Sequence, residues 1–182
     1  MPWSNGPLTV YHGCDDQSAN NIVKNGINLA LCKVLTDFGQ GFYTTTSLKQ
    51  AKNWANQRCN RIKIRGGGTG SQATGGISTV IQFDIDRDLI ARQEILFFII
   101  ENSNSDYWDF VTHCRTVAPV QHKPTGGKYD VVAGPVSLWP QRLIIKDCDQ
   151  ISFHTPNLLR SLQRVRNIIP DKNDNNVTRF FP

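Results

Sequence analysis

The sequence lacks the features of disulfide-rich, zinc-binding and membrane-spanning proteins. Its five cysteines are odd in number and show neither a CxxC pair nor a Cys/His metal spacing, which argues against a disulfide framework and a zinc site. The longest apolar run, residues 95–100, is far too short to cross a bilayer. We therefore expect reduced thiols, no bound metal and no membrane partner.

The first residues, MPWSNGPLTVY, also lack the basic start and apolar core of a secretory signal. We expect the protein to act in the cytoplasm, either of the cell that makes it or of a target cell into which it is delivered. Its 182 residues match the size of one domain. We predict a single domain over residues 1–170 and a flexible C-terminal tail over residues 171–182.

Positive charge is present in excess. The formal net charge of +5 at pH 7 permits an anionic partner, although a mildly basic protein without such a partner fits it equally well. Basic residues cluster in RCNRIKIRGGG, residues 58–68, ahead of a Gly/Ser/Thr-rich stretch, and this predicts a mobile basic loop. The candidate contacts to phosphate, nucleic acid or another target are Arg58, Arg61, Lys63 and Arg65.

Predicted strands and helices follow each other without a regular alternation. The strand at 77–85 and the one at 94–100 are expected to be central or near-central. Such an order favours the α+β class with antiparallel or mixed sheets. The other predicted strands are residues 8–12, 42–45, 129–136, 141–147 and 149–155. The predicted helices are residues 18–24, 48–59, 106–115 and 157–167.

The stretch DFGQGFYTTT, residues 37–46, combines glycines with aromatic and β-branched residues. A strand that is preceded by Gly39 and Gly41 is typical of a place where another group lies close to the backbone, and that group could be a ligand. Tyr43 on this strand and Trp54 on the next helix lie eleven positions apart. If the helix folds over the strand, the two rings can sandwich a flat, electron-poor ring such as nicotinamide. Spacing alone favours the alternative, in which both rings belong to the core.

A second motif is YHG, in which His12 ends a predicted strand and Gly13 lets backbone groups approach a ligand. Together, YHG and DFGQGFYTTTSLKQAKNWA resemble the NAD-binding signature of ADP-ribosyltransferases of the diphtheria-toxin and poly(ADP-ribose) polymerase branch. The later blocks DYWDFVTHCR, KYDVVAGPV and DQISFHTPNLLRSL resemble, in the same order, blocks of an uncharacterised bacterial family assigned to this fold. The resemblance extends over residues 8–162.

The resemblance implies a split β-sandwich of two antiparallel or mixed sheets flanked by helices. It implies a mono-ADP-ribosyltransferase that cleaves NAD and transfers ADP-ribose to RNA, DNA or protein, as in bacterial toxins and effectors, which can have an antitoxin or immunity partner. His12 would bind a ribose hydroxyl, the Gly13 backbone the nicotinamide carboxamide, and Tyr43 and Trp54 the two faces of nicotinamide. The implied NAD-contacting residues are His12, Gly13, Phe42, Tyr43, Thr44 and Trp54, and the implied catalytic ones are His12, Tyr43 and Gln150.

Gln150 departs from the class, which places a glutamate at this third catalytic position. A glutamine keeps the hydrogen bond but supplies no negative charge, so stabilisation of the cationic transition state is weaker. This disfavours chain elongation and favours mono-ADP-ribosylation. Asp147 and Asp149 flank the position, but strand alternation aims them at the other face unless a bulge intervenes. Glu101 and Asp106 are further carboxylates without positional support.

Two other functions stay open from the sequence. The same pocket can belong to a non-catalytic module that binds NAD or a ligand containing ADP-ribose, with Gln150 marking lost activity. An RNA 2′-phosphotransferase has a related fold, but the several basic pocket residues of that class are missing from the matching strands.

Overall fold

A computed structural model describes residues 5–65, 76–99, 105–117, 121–159 and 162–168. The predicted α+β class is confirmed, with two sheets and helices interspersed among their strands. None of the helices in these ranges has the length and apolar character needed to span a bilayer. In chain order the elements are β1 (Leu8–Asp15), α1 (Asp16–Asn25), a 3-10 turn (Leu29–Leu31), β2 (Phe42–Thr44), α2 (Leu48–Arg65), β3 (Ser78–Ile85), α3 (Arg87–Ile90), β4 (Ile95–Phe97), α4 (Ser105–Thr116), β5 (Val131–Leu138), β6 (Leu143–Phe153), α5 (Pro156–Leu159) and β7 (Leu162–Ile168).

The strands form one three-stranded and one four-stranded sheet. The first has the order β1-β3-β7 and is antiparallel throughout. The second has the order β2-β6-β5-β4 and is mixed, because β4 runs parallel to β5. An isolated bridge between Tyr11 and Thr45 connects the two sheets.

A small apolar cluster packs α2 on the three-stranded sheet, and two larger clusters hold the layers together. One lies around Ile81, Phe83 and Phe153, and it joins the two sheets because these strands contribute alternate, inward-facing residues. The other lies around Phe38 and Tyr107, where α4 packs on the four-stranded sheet. All five cysteines have free thiols: Cys14, Cys32, Cys59, Cys114 and Cys148.

Residues 58–65 of the basic stretch, which the sequence predicted as a loop, are the last part of α2. This helix runs to Arg65 because residues 48–65 contain neither glycine nor proline to end it earlier. Arg58 therefore lies on a helix, as do the backbones of Arg61 and Lys63.

The C-terminal half holds three further corrections. The strands predicted at 141–147 and 149–155 are one strand, β6, which pairs along its length with β5 through a register shift. The helix predicted at 157–167 is wrong over residues 162–167, because β7 pairs with the open edge of β3 and this pairing outweighs local helix propensity. The strand predicted at 94–100 was expected to be central or near-central, but the observed strand there, β4, lies at the edge of its sheet. The predicted tail at 171–182 lies outside the described residues.

Candidate functional site

A cleft of about 340 Å³ opens beside the bridge between the two sheets. Past the bridge, β1 and β2 separate, and side chains from both strands line the space between them. Helices α1 and α2 form its other walls, and β6 contributes Gln150. The predicted NAD-contacting and catalytic residues all border this one cleft: His12, Gly13, Phe42, Tyr43, Thr44, Trp54 and Gln150.

The peptide group of Gly13 faces the cleft. Tyr11 and Thr45 exchange two backbone hydrogen bonds, of 2.8 and 2.9 Å, at the edge of β1 that is opposite to β3. Residues two apart in a strand direct their peptide groups to the same edge, so Gly13 directs its N–H and C=O there too. The bond from Asp16 N–H to Ile77 O, 2.9 Å, agrees, because it places the even-numbered residues of β1 in the pairs bonded to β3. No described residue bonds to the Gly13 peptide at the cleft edge.

Gly13 has no side chain because α2 occupies the space. A Cβ at this position would lie 2.2 Å from the carbonyl oxygen of Ala51 and 3.0 Å from the backbone N of Ala55. The absence of a side chain at Gly13 therefore allows the close approach of a helix. This approach brings Trp54 of α2 to the border of the cleft, where 42% of it is exposed.

His12 connects β1 to β2 and presents an acceptor. Its Nδ1 lies 2.7 Å from the carbonyl oxygen of Tyr43. A carbonyl oxygen can only accept, so Nδ1 carries the proton. Burial lowers the pKa of His12 to about 4, and the ring is neutral at pH 7. Its Nε2 therefore has a free lone pair, and no described residue bonds to it.

The hydroxyl of Tyr43 is held by the loop that precedes β2. It accepts a hydrogen bond from Phe38 N–H at 2.9 Å and donates one to the Gly39 carbonyl at 2.7 Å. Thr36 Oγ1 lies 2.7 Å away. Gly39 adopts a φ of 75°, a conformation that favours glycine. The ring of Tyr43 is thereby fixed in orientation beside the cleft.

Two buried histidines hold the same loop, residues 37–41, from behind. His122 Nε2 lies 2.9 Å from the Phe38 carbonyl, and His154 Nδ1 lies 2.9 Å from the Gln40 carbonyl. Burial lowers the pKa of His122 to about 4 and that of His154 to about 3. Gly41 leaves room for the His154 ring, because a Cβ there would come within 2.7 Å of it.

Gln150 is buried, and its amide nitrogen bonds to two acceptors. It donates to Asp37 Oδ2 at 2.7 Å and to the Pro135 carbonyl at 2.8 Å. Asp37 also accepts from the backbone N–H of Ser137 at 2.8 Å and from its hydroxyl at 2.6 Å. Arg115 forms an ion pair with the same carboxylate. Sequence analysis missed Asp37 and Arg115, and no local pattern marks them, because Asp37 and Gln150 lie 113 positions apart.

The carboxylates proposed as substitutes do not join Gln150 in the cleft. Asp149 faces the other side of β6, where it accepts hydrogen bonds from Thr45 Oγ1 and from Thr46 N–H. These bonds hold in place the two residues shortly before the start of α2. Asp147 and Asp106 are exposed and do not border the cleft. Glu101 lies outside the described residues.

Phe42 and Thr44 border the cleft but turn their side chains inward. The Phe42 ring packs against Phe83, with ring centroids 5.6 Å apart. Thr44 Oγ1 donates to the Ile151 carbonyl at 3.1 Å. The side chains of both residues are nearly inaccessible. Any contact of Phe42 or Thr44 with a ligand would therefore have to come from their backbone atoms.

Arg58 lies at the other side of the cleft, beside the start of α1. Its Nε bonds to Asp15 Oδ2 at 3.1 Å, and 48% of its side chain is exposed. Asp15 in turn caps α1 by accepting from Ser18 N–H at 2.8 Å. The side chains of Arg61, Lys63 and Arg65 lie outside the described set. Further polar residues border this side of the cleft, namely Ser18, Asn21, Asn28 and Lys33.

Comparison with known proteins gives one family and no characterised relative. A family model described as "protein of unknown function (DUF3990)" matches residues 8–138. This match spans more than half of the chain, from β1 through β5, and includes every proposed cleft residue except Gln150. No curated protein matches the sequence. The chain belongs to the DUF3990 family.

Proposed function

We propose that the protein is an NAD-dependent mono-ADP-ribosyltransferase. The observation that carries the proposal is the convergence in one cleft of a hydrogen-bond acceptor on His12, an open peptide group at Gly13, two aromatic rings and the polar side chain of Gln150. These groups come from β1, from β2 with the helix α2 that follows it, and from β6, three segments that are far apart in sequence. A pocket in which a few polar groups converge on an apolar wall is typical of a small-molecule site.

We further infer that the fold is the split β-sandwich of ADP-ribosyltransferases. A three-stranded and a four-stranded sheet that share the Tyr11–Thr45 bridge and diverge around a cleft support this inference. So does the order of the motifs along the chain.

The polar groups of the cleft match the nicotinamide end of NAD. The Gly13 peptide offers one donor and one acceptor at the same edge, and a primary carboxamide offers the complementary pair. His12 Nε2 can accept a hydrogen bond from a ribose hydroxyl. The rings of Tyr43 and Trp54 can contact the faces of the pyridinium, whose positive charge favours an aromatic neighbour. Arg58 can take a phosphate oxygen through the guanidinium donors that Asp15 does not use.

The reaction would be a substitution at C1′ of the nicotinamide ribose. The bond from C1′ to the pyridinium nitrogen breaks, and its electron pair leaves with neutral nicotinamide. The positive charge passes to the ribosyl group, which an acceptor nucleophile attacks at C1′ before losing its proton. The lone pair of Gln150 Oε1 can hold a ribose hydroxyl during this step. Holding the sugar and the ring in fixed positions lowers the entropic cost of reaching the transition state.

The acceptor would be a macromolecule, either a nucleic acid or a protein. The net charge of +5 and the cationic end of α2 favour an anionic acceptor. A steep loss of target binding with added salt would identify nucleic acid.

The proposal is tested by nicotinamide release from NAD by the purified full chain. We would add bulk RNA, DNA or protein separately, and compare wild type with Tyr43→Ala and Trp54→Ala. Removing one stacking ring is expected to weaken NAD binding by about 1–3 kcal/mol, which is about 5- to 150-fold in Kd. Phe97→Ala is the matched control, because Phe97 is 62% exposed but does not border the cleft.

Three results are informative. Release that requires one acceptor class and is lost in Tyr43→Ala supports the transferase and identifies that class. NAD binding without release from the wild type replaces the transferase by a binding module. Neither binding nor release, with every acceptor class supplied, rejects both.

A further inference from the structure

The third catalytic position holds an amide next to a buried carboxylate. Asp37 is 2% exposed, borders the cleft and is hydrogen-bonded to Gln150. Its two oxygens accept hydrogen bonds from Gln150, from the backbone and side chain of Ser137, and from Arg115. Asp37 is therefore fixed on several sides, and it is rigid before any ligand binds.

These contacts determine which end of the Gln150 amide faces the ligand. The Asp37 carboxylate and the Pro135 carbonyl only accept, so the group at 2.7 and 2.8 Å from them is the NH₂. The two acceptors use both of its hydrogens. Oε1 receives no hydrogen bond from a described residue, and Gln150 borders the cleft. The amide therefore presents lone pairs, and no donor, to the cleft.

A glutamate at position 150 would not fit this environment. One carboxylate oxygen would have to take the place of the NH₂ and face two acceptors, the Asp37 carboxylate and the Pro135 carbonyl. Two buried carboxylates in contact repel each other, and one of them has to be protonated. With Asp37 present, glutamine is the side chain that can present an oxygen to the cleft without that conflict.

We propose that Asp37 is a positioning residue that makes glutamine, in place of glutamate, the working side chain at position 150. It binds the amide NH₂ and directs Oε1 at the nicotinamide ribose, and its negative charge polarises the amide so that Oε1 is a stronger acceptor. This inference rests on the proposed NAD-dependent function. Gln150 is then a partner of Asp37 and not a sign of lost activity.

The experiment compares wild type with Asp37→Asn, Gln150→Glu and the double exchange that carries both substitutions. Each single change is expected to lower the rate of nicotinamide release on the order of 10²-fold, the usual effect of one lost polar contact to the transition state. The double exchange replaces the contact between two carboxylates by an amide–carboxylate contact in reverse orientation, while a carboxylate oxygen at position 150 still faces the Pro135 carbonyl. It should be faster than Gln150→Glu, in which both conflicts remain, a rescue that a general loss of stability would not give.

The pH profile gives a second readout. In the double exchange the group that faces the ribose is a carboxylate, so its activity falls as the pH drops through the titration of that introduced carboxyl group, and wild type lacks this limb. Gln150→Glu as fast as wild type with Asp37 intact would overturn the proposal. A double exchange no faster than Gln150→Glu, although folded by thermal melting, would also overturn it.

A measurement on the wild type keeps the proposal testable if Asp37→Asn does not fold. Hydrogen exchange of the Gln150 side-chain NH₂, followed by NMR, is expected to be at least about tenfold slower than that of the exposed Gln17, because both of its hydrogens are bonded. Equal rates for the two side chains would overturn the Asp37 contact. This result does not depend on NAD, whereas a wild type that neither binds nor cleaves NAD would reject the proposed function itself.

Discussion

The two sides of the cleft differ in how their polar groups are used. On the side formed by the 37–41 loop, β2 and β6, nearly every polar group is bonded within the protein: the Tyr43 hydroxyl, the Asp37 carboxylate and the Gln150 NH₂ all have partners. On the side formed by β1, α1 and α2, the Gly13 peptide group and His12 Nε2 are open to the cleft. Arg58 is half exposed there.

The difference suggests a division of work between the sides. A site that stabilises a transition state needs groups that are already in position, and the densely bonded side supplies them. A side with open donors and acceptors can instead bind a ligand directly. His12 belongs to both, because its Nδ1 bonds to the Tyr43 carbonyl and its Nε2 does not bond within the described protein.

Acid should most strongly affect the side of the cleft that is formed by the 37–41 loop, β2 and β6. His122 and His154 are neutral when folded, with pKa values lowered to about 4 and about 3, whereas an unfolded histidine titrates near 6.5. Between these values the unfolded chain binds more protons, so the stability is complete above pH 6.5 and is lost as the pH falls. Burial lowers the pKa of His12 to about 4 as well, and three such groups give a slope of up to about 4 kcal/mol per pH unit. Urea denaturation at several pH values measures it.

The native titration provides the control for this prediction. NMR signals of the two imidazoles should keep their neutral shifts down to about pH 5, since both pKa values lie lower. Titration of either ring between pH 6 and 7 in the folded protein would show that the loop is not held by neutral histidines.

On the side of the cleft formed by β1, α1 and α2, the substitution Gly13→Ala tests the packing of α2 on β1. The new Cβ would meet the Ala51 carbonyl oxygen at 2.2 Å, and a backbone atom cannot move away as a flexible side chain can. We expect the free energy of unfolding to fall by about 3 kcal/mol, the upper end for overpacking. Gly6→Ala is the control, because its Cβ would meet nothing within 4 Å. Equal stability of the two variants would contradict the close approach of the helix.

Tyr43→Phe separates the fixed orientation of the ring from its presence. The substitution leaves Phe38 N–H without its acceptor and removes the bond to the Gly39 carbonyl. A buried unpaired group costs about 1–3 kcal/mol of unfolding free energy. Tyr129→Phe is the control, because no described residue bonds to its hydroxyl, and it should change stability by less than about 0.5 kcal/mol. If thermal and urea unfolding cannot tell the two variants apart, the Tyr43 hydroxyl does not hold the loop.

The smallest effect is expected for Arg58→Gln. Its exposed ion pair with Asp15 contributes about 0–1 kcal/mol to stability, so the fold should tolerate the change. NAD affinity should fall by less than about tenfold, and the loss should shrink as salt is added, since salt screens exposed charges. Arg142→Gln is matched, because Arg142 is also exposed and paired, with Asp109, but lies away from the cleft. An equal loss of affinity in both variants would remove Arg58 from the site.

Local patterns predicted most of the elements around the site. The strand periodicity of β1 and β3, the capping glycine after α1 and the apolar face of α4 are local signals, and the structure has these elements with small shifts at their ends. Where a prediction failed, a distant partner decided the outcome. The segment at 162–168 became a strand because the edge of β3 was open to it, and nothing in its own residues shows that edge.

The candidate site likewise contains residues that the sequence identified and residues whose contacts depend on distant parts of the chain. His12, Gly13, Tyr43 and Trp54 lie in two short blocks, and the resemblance of these blocks to a known signature singled them out. Asp37 stood in a conspicuous glycine-rich stretch, but its meeting with Gln150 depends on how β6 pairs with β5 and how the 37–41 loop folds over them. Only the folded chain brings such residues together.

The most direct test of the central claim is a titration of the ¹⁵N-labelled wild type with NAD. The titration is monitored through the NMR signals of the backbone amides and the tryptophan indoles. Saturable shifts at the Gly13 amide and the Trp54 indole, with the Phe97 amide on the far sheet edge unchanged, are the predicted result. No shift at millimolar NAD, or shifts that saturate only at residues away from the cleft, would contradict the assignment of this cleft as an NAD site.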